Sequence, residues 1–129
     1  MRILLADQQS HFRRFLRRVL EKDPALEVVA EAMDGEQAVQ LAESLQPEIV
    51  MMSIELPGLD GLEAARRVKE RLREAKVVLL SALGDEAHER AAFEGGADAF
   101  LPKSTPVAEI VNVLHGIGKP SQGQRPDSV

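Results

Sequence analysis

Short apolar runs alternate with longer segments of helical periodicity along most of the chain. In the third run, residues 49–52, the apolar side chains follow one another without polar interruption, which is typical of a strand covered on both faces of a sheet. The predicted strands are residues 3–6, 26–32, 49–52, 77–80 and 99–101. Because helical segments separate all five, the pattern predicts an α/β domain with a parallel sheet and helices on both faces.

The segments between the runs carry apolar residues at spacings of three and four, which predicts amphipathic helices. Asp34, followed three residues later by Gln37, predicts a capping box at the start of the second helix. The pair Gly95–Gly96 is expected to end the fourth helix, and Pro106 suits the first turn of the last one. The first helix, predicted at 10–22, has an expected core-facing stripe of Phe12, Phe15, Leu16, Val19 and Leu20.

The five strand–helix units predict one domain over residues 1–118, followed by a disordered tail at 119–129 that is rich in Gly, Pro, Ser and Gln. No apolar run is long enough to span a membrane, and the absence of cysteine excludes disulfides and thiolate metal sites. The net charge of -5 and an aromatic content of 3% disfavour nucleic-acid binding. We therefore expect a cytoplasmic protein with neither membrane nor nucleic-acid partners.

Polar residues follow four of the five predicted strands. Asp7 and Gln8 come after the first strand, Ser53 after the third, Ser81 after the fourth, and Lys103 after the fifth. In open parallel α/β sheets, ligands bind outside the carboxyl ends of the strands. These residues are therefore expected to converge on one pocket, toward which the amino end of the first helix also points.

Three segments resemble the receiver domains of bacterial two-component response regulators. They are SIELPGLDG at 53–61, VLLSA at 78–82 and GGADAFLPK at 95–103. In that family the first begins at the phosphoacceptor position, the second contains the switch hydroxyl followed by a small residue, and the third ends in an essential lysine. The resemblance covers about residues 1–118 and implies the flavodoxin-like fold with strand order 2-1-3-4-5.

Family members accept a phosphoryl group from a histidine kinase onto an aspartate, with Mg²⁺ bound beside it. By resemblance, Asp7 corresponds to the first metal-binding acid and Glu55 to the position whose backbone carbonyl binds the metal. Ser81 corresponds to the switch hydroxyl, Phe100 to the switch aromatic and Lys103 to the lysine. The resemblance also implies a cis peptide after that lysine.

Two positions depart from the family pattern in ways that change the chemistry. Gln8 stands in place of the second metal-binding acid, and Ser53 stands in place of the phosphoacceptor aspartate. A serine hydroxyl is a poor nucleophile unless a base or a metal activates it, and Mg²⁺ is usually held by one or two carboxylates. With Ser104 after Lys103, a cis peptide there would cost about 3 kcal/mol.

These departures predict a degenerate receiver, a pseudo-receiver, that is not an enzyme and has no catalytic residues. Its pocket would consist of Asp7, Gln8, Ser53, Ser81 and Lys103, with the charge of Asp7 balanced by Lys103. Magnesium binding is expected to be weak or absent. If any metal binds, its ligands would be Asp7 and the backbone of Glu55.

The expected activity is therefore protein–protein contact, with a histidine kinase or another signalling protein as partner and a homodimer as a further possibility. One alternative is a receiver with residual phosphorylation, or with phosphorylation on Ser53. Another is a small flavodoxin-like protein that binds an anion or nucleotide at Lys103 and Ser81. The absence of a glycine-rich loop after the first strand argues against this second alternative.

The first helix also carries four arginines beside its apolar stripe. The sequence favours a solvated basic face, and the alternative is contact with an acidic partner or, as the resemblance implies, with the helical hairpin of a kinase. The residues concerned are Arg13, Arg14, Arg17 and Arg18.

Overall fold

The computed structural model describes residues 1–82 and 86–118. The five strands are β1 (Arg2–Ala6), β2 (Glu27–Ala32), β3 (Ile49–Ser53), β4 (Lys76–Ser81) and β5 (Ala99–Pro102). The helices are α1 (Ser10–Leu20), α2 (Gly35–Leu45), α3 (Gly61–Arg71), α4 (Glu86–Glu94) and α5 (Val107–Gly118). The predicted tail at 119–129, and Asp85 at the predicted start of the fourth helix, lie outside the described residues.

All strands of the sheet are parallel, in the order β2-β1-β3-β4-β5. This confirms the predicted flavodoxin-like topology. The register pairs Ala6 with Met52 and Ser53 with Leu80, and it pairs Ser81 with Pro102. The carboxyl ends of the four strands that precede the predicted pocket residues therefore lie side by side along one edge.

The sheet separates two apolar clusters, and this explains the uninterrupted apolar runs. Alternate residues of a strand point to opposite faces. Met51 belongs to the cluster beneath α1 and α5, whereas Val50 and Met52 belong to the cluster beneath α2, α3 and α4. All three are at most 1% exposed, so both faces of the central strand are covered.

The predicted helix boundaries at Asp34 and Gly96 are confirmed. Oδ1 of Asp34 accepts a hydrogen bond from the backbone N–H of Gln37 at 2.7 Å. Oε1 of Gln37 in turn accepts the N–H of Met33 at 2.8 Å, one residue earlier than in a regular capping box. Gly96 has a φ of 103°, a backbone conformation that glycine adopts without strain.

The first helix differs from its prediction in length and in one core residue. α1 ends at Leu20, and its fully buried side chains are Leu16 and Leu20. Phe15 is 50% exposed, so its prediction as a core residue is wrong. One residue turns an α-helix by about 100°, so Phe15 lies on the flank of the stripe centred on Leu16. No helix in the described part of the chain has the length and apolarity to cross a membrane.

Candidate functional site

The structure places the predicted pocket residues at the carboxyl edge of the sheet. Asp7, Ser53 and Ser81 are buried there, with exposed fractions of 4%, 0% and 0%. Gln8 is exposed. The edge is therefore lined by one carboxylate, two hydroxyls and the lysine, while the amide that replaces the second acid faces outward.

Asp7 and Lys103 form a close ion pair at this edge. Nζ of Lys103 lies 2.6 Å from Oδ2 of Asp7, and their side chains are 15% and 5% exposed. Oδ2 of Asp7 accepts no hydrogen bond among the described residues, so the attraction is primarily electrostatic. Oδ1 of Asp7 accepts the backbone N–H of Gln9 at 2.8 Å. The carboxylate is thus balanced by a cation on one oxygen and by an amide on the other.

Two further side chains hold the ammonium of Lys103 at Asp7. Nζ donates to Oε1 of Gln9 at 3.2 Å and lies 4.7 Å from the ring centroid of Phe12. Sequence reasoning did not assign either residue to the pocket, because Gln9 had no assigned role and Phe12 was assigned only to the core. An aromatic residue one turn into α1 was the signal available, since an ammonium over an aromatic face is attracted to it.

Ser53 occupies the phosphoacceptor position as a fully buried residue. Its hydroxyl has no hydrogen-bond partner among the described residues. The following loop packs closely on its backbone, because a Cβ on Gly61 would lie 2.2 Å from the carbonyl oxygen of Ser53. The hydroxyl is therefore enclosed, and no base among the described residues is hydrogen-bonded to it.

Ser81 and Phe100 lie toward the face of the sheet that is covered by α2, α3 and α4. Ser81 follows Leu79 by two residues, and the register pairs Leu79 with Phe100, which is 9% exposed within the cluster beneath α2, α3 and α4. The carbonyl of Ser81 accepts the backbone N–H of Lys103 at 2.8 Å. The peptide after Lys103 is trans, so the cis peptide implied by the family is absent. The switch roles of Ser81 and Phe100 stay predictions.

Two of the four arginines of α1 are bound within the chain, which corrects the prediction that all four form a solvated face. Nε of Arg13 and an Nη of Arg17 each lie 2.7 Å from the carboxylate of Glu31 on β2. Arg13 also donates to the backbone carbonyl of Asp7 at 2.5 Å. Burial by itself would raise the pKa of Glu31, but the hydrogen bonds from Arg17 and Arg13 outweigh it and lower that pKa.

The residues at this edge do not fit a magnesium site of the family type. Mg²⁺ favours hard oxygen ligands and is usually held by one or two carboxylates. Asp7 is the one buried acid at this edge among the described residues, and its charge is already balanced by Lys103. No group of three or more Asp, Glu or His side chains that could hold a metal ion occurs within residues 1–82 and 86–118.

Residues 3–115 match the family model of the response regulator receiver domain. The chain belongs to this family. The receiver is similar to the transcriptional regulatory protein LiaR of Bacillus subtilis, with 33% identity over 92% of this chain and 56% of the relative. It is also similar to a protein-glutamate methylesterase/protein-glutamine glutaminase of Geobacter metallireducens, with 39% identity over 81% of this chain and 29% of that protein.

The receiver thus spans about half the length of the transcriptional relative and under a third of the methylesterase. Solved structures give the same family. One is the signal receiver domain of the putative response regulator NarL from Mycobacterium tuberculosis, with a TM-score of 0.87, 30% identity and coverage of 91% and 94% of the two chains. A LuxR-family response regulator from Aurantimonas has a TM-score of 0.87, 35% identity and coverage of 96% and 86%.

Proposed function

We propose that this receiver is a signalling module that acts through protein–protein contact and without phosphoryl transfer. The observation that carries the proposal is the ion pair between Asp7 and Lys103 beside a serine at the phosphoacceptor position. In this arrangement the cation that would meet an incoming phosphoryl group is held by the first acid. Among the residues that the structure describes, the edge then offers neither a carboxylate nucleophile for the phosphoryl group nor a carboxylate free to bind a metal.

Ser53 is a poor phosphoacceptor by either route. Transfer from a phosphohistidine requires a nucleophile, and a serine hydroxyl needs a neighbouring base for that role. The hydroxyl of Ser53 has no hydrogen-bond partner among the described residues, and the residue is 0% exposed. A serine/threonine kinase needs the hydroxyl in its own active site, so burial also argues against phosphorylation of Ser53.

The same geometry argues for weak or absent Mg²⁺ binding. Mg²⁺ at Asp7 would compete with Lys103, whose Nζ lies 2.6 Å from Oδ2, for the charge of the carboxylate. Neither Gln8 nor Ser53 supplies a negative charge in exchange. We therefore propose that the ion pair takes the electrostatic place that a metal fills in family members with a full set of acids.

Binding of a nucleotide or other anion at Lys103 and Ser81 is disfavoured for a related reason. The ammonium of Lys103 already contacts Asp7, Gln9 and the ring of Phe12. The carboxylate of Asp7 would also repel an anion placed there. We attribute no catalytic activity to this domain. The chain covers only 29% of the methylesterase relative, so the similarity gives no ground for assigning that protein's activity to this receiver.

A protein partner is accordingly central to the proposal. A histidine kinase or another signalling protein is the expected partner, and self-association is a further outcome to be measured. Sedimentation or light scattering of the purified chain over a range of concentrations separates a monomer from a homodimer.

Phosphoryl transfer is tested with acetyl phosphate at millimolar Mg²⁺, with intact mass as the readout. We expect no adduct on the wild-type chain. The matched control is the double variant Gln8→Asp/Ser53→Asp, which returns both acids and is expected to gain an adduct that hydroxylamine removes. A hydroxylamine-sensitive adduct on the wild-type chain would refute the proposal, and an acid-stable one at Ser53 would favour serine phosphorylation.

Magnesium binding is tested separately by calorimetric titration of the same two proteins. The expected result is no measurable heat with the wild-type chain and a saturable signal with the double variant. Wild-type binding at submillimolar Mg²⁺ would contradict the proposed role of the ion pair.

A further inference from the structure

The carboxyl end of α5 lies against the turn that follows α1. His115 is in the last turn of α5, and its Nε2 lies 2.7 Å from Oδ2 of Asp23 in that turn. The two side chains are 38% and 28% exposed, and the residues are 92 positions apart in the chain. The contact therefore joins two distant segments at the edge where the strands begin, opposite to the pocket.

The carboxylate of Asp23 is also held on its other oxygen. Oδ1 accepts the backbone N–H of Ala25 at 2.9 Å, and the N–H of Asp23 itself donates to the carbonyl of Leu20 at 3.0 Å. The hydrogen bond from His115 is the largest cause that lowers the pKa of Asp23, and the bond from Ala25 is the second. The turn thus presents an ionised carboxylate to the end of α5.

Met1 makes a second contact between the end of α5 and this turn. A Cβ on Gly118 would overlap Sδ of Met1, so the glycine lies directly on this side chain. The carbonyl of Met1 accepts the N–H of Glu27 at 2.8 Å, and its amino group donates to the carbonyl of Ala25. The end of α5 is therefore packed by an apolar contact at one point and held by a histidine–carboxylate contact at another.

The strength of the histidine–carboxylate contact depends on the charge of the ring. Histidine is the side chain that ordinarily changes its charge between pH 5 and 8. A neutral ring can keep a hydrogen bond to Asp23, whereas an imidazolium adds charge assistance to it, and the negative end of the α5 dipole also favours a cation there. The added attraction is lost as the pH rises through neutrality, or as it falls through the lowered pKa of Asp23.

We propose that His115 and Asp23 form a proton-dependent clasp, which holds the carboxyl end of α5 on the turn after α1 in mildly acidic solution and loosens it as the imidazole loses its proton. The chain continues beyond Gly118, so the clasp controls how firmly its point of departure from α5 is held. The clasp lies away from the pocket, and its action does not depend on whether phosphoryl transfer occurs.

No second carboxylate competes for the ring within the part of the chain that the structure describes, where Asp23 is the one acid within ion-pair distance of His115. The other charged groups on the elements around this end are the amino group of Met1, Arg2, Arg18, Glu21, Lys22, Glu27, Glu48 and Glu109. Of these, the amino group of Met1 also favours the ionised form of Asp23. The test must therefore separate His115 from Met1.

The test is amide hydrogen exchange of the full chain, measured by NMR at pH 6.0 and pH 8.0. The ratio of variant to wild-type rates at one pH removes the intrinsic pH dependence of exchange. In the last turn of α5, we expect His115→Gln and Asp23→Asn to exchange at least threefold faster than the wild type at pH 6.0 and less than 1.5-fold faster at pH 8.0. Equal ratios at the two pH values would show a contact insensitive to protonation and overturn the inference.

The matched control is His11→Gln, at an exposed histidine of α1 that has no ion pair among the described residues. It is expected to leave exchange in α5 unchanged at both pH values. A pH dependence of α5 protection that persists in His115→Gln would belong to another group, such as the amino group of Met1, and would also overturn the inference. Circular dichroism and urea unfolding check that each variant is folded.

A second measurement follows the charge of the ring itself. The imidazole signals of His115, recorded by NMR from pH 5.5 to 8.5, should titrate at a lower pH in Asp23→Asn than in the wild type, because the variant lacks the counter-charge. An unchanged titration would mean that Asp23 does not stabilise the imidazolium, and the clasp would be rejected.

Discussion

The ammonium of Lys103 lies 2.6 Å from Oδ2 of Asp7, so this carboxylate, which is buried at the carboxyl edge of the sheet, has a counter-charge within the same chain. The two residues come from opposite ends of the chain and from non-adjacent strands. This contact ties the loop after β5 to the loop after β1. We expect the loss of this contact to change the stability of the fold.

Removal of the cation should destabilise the fold. Lys103→Met leaves the Asp7 carboxylate buried without a counter-charge, and we expect a loss of about 3 kcal/mol in the free energy of unfolding. Urea unfolding measures this loss, with Lys76→Met as the control, at a lysine that has no ion pair among the described residues. The double variant Asp7→Asn/Lys103→Met should lose less than the sum of the two single changes. Strict additivity would mean that the ion pair contributes no coupling energy.

Loss of the Ser53 hydroxyl should stabilise the fold. An enclosed hydroxyl without a hydrogen-bond partner costs about 1–3 kcal/mol, so Ser53→Ala is expected to raise the free energy of unfolding by about 1 kcal/mol. Ser53→Thr keeps the hydroxyl and adds a methyl group at a fully buried site, so it should be destabilising. Destabilisation by the alanine variant would indicate that the hydroxyl makes a stabilising hydrogen bond.

The carboxylate of Glu31 should make stability depend on pH. Its pKa lies below the ordinary value of 4.5, so its contribution is complete above 4.5 and is lost as the pH falls through the lowered pKa. At neutral pH, Glu31→Gln is expected to cost about 2 kcal/mol, through weakened hydrogen bonds from Arg13 and Arg17. The difference between the variant and the wild type should shrink in acid, and a constant difference would contradict the prediction.

The close packing at Gly61 should make that position intolerant of a side chain. A Cβ there would lie 2.2 Å from the carbonyl oxygen of Ser53 and 2.7 Å from Cα of Ile54. We expect Gly61→Ala to destabilise the domain by about 3 kcal/mol, because backbone atoms must move. Gly116→Ala is the matched control, since a Cβ at this position in α5 has no neighbour within 4 Å.

The control variant, Gly116→Ala, is expected to change the free energy of unfolding in the opposite direction. Alanine in place of an exposed helical glycine stabilises by about 0.5–1 kcal/mol. Thermal unfolding of both variants under one set of conditions therefore gives shifts of Tm in opposite directions. Equal shifts would show that the backbone contact at Gly61 relaxes without cost.

Local sequence pattern was enough to predict the order of the elements and the composition of the edge. Short apolar runs predict buried strands, and apolar residues at spacings of three and four predict helices. Each of these two signals depends only on the geometry of a single segment. Asp7, Ser53 and Lys103 were predicted to meet because parallel strands end at a common edge. The identity of Gln8 and Ser53, which decides the chemistry, is a property of the sequence alone.

The local sequence pattern could not predict contacts between segments that lie far apart in the chain. Gln9 and Phe12 hold the ammonium of Lys103 across almost the whole length of the chain, and no local periodicity encodes that approach. The pairing of Arg13 and Arg17 with Glu31 depends on α1 lying over the edge of β2. Phe15 was predicted to be buried because the helical stripe does not show whether a neighbouring helix covers its flank.

The sequence by itself determined the alternation of strands and helices and the replacement of two acids by Gln8 and Ser53, since periodicity and residue identity are local. The strand order was predicted from the resemblance to receiver domains. Only the tertiary structure decided which partner each charge has. Lys103 binds Asp7, and Glu31 takes two of the four α1 arginines, while Arg14 and Arg18 remain without a carboxylate among the described residues. The physical reason is that electrostatic attraction depends on distance in space and on exclusion of water, and both are set by the packing of segments far apart in the chain.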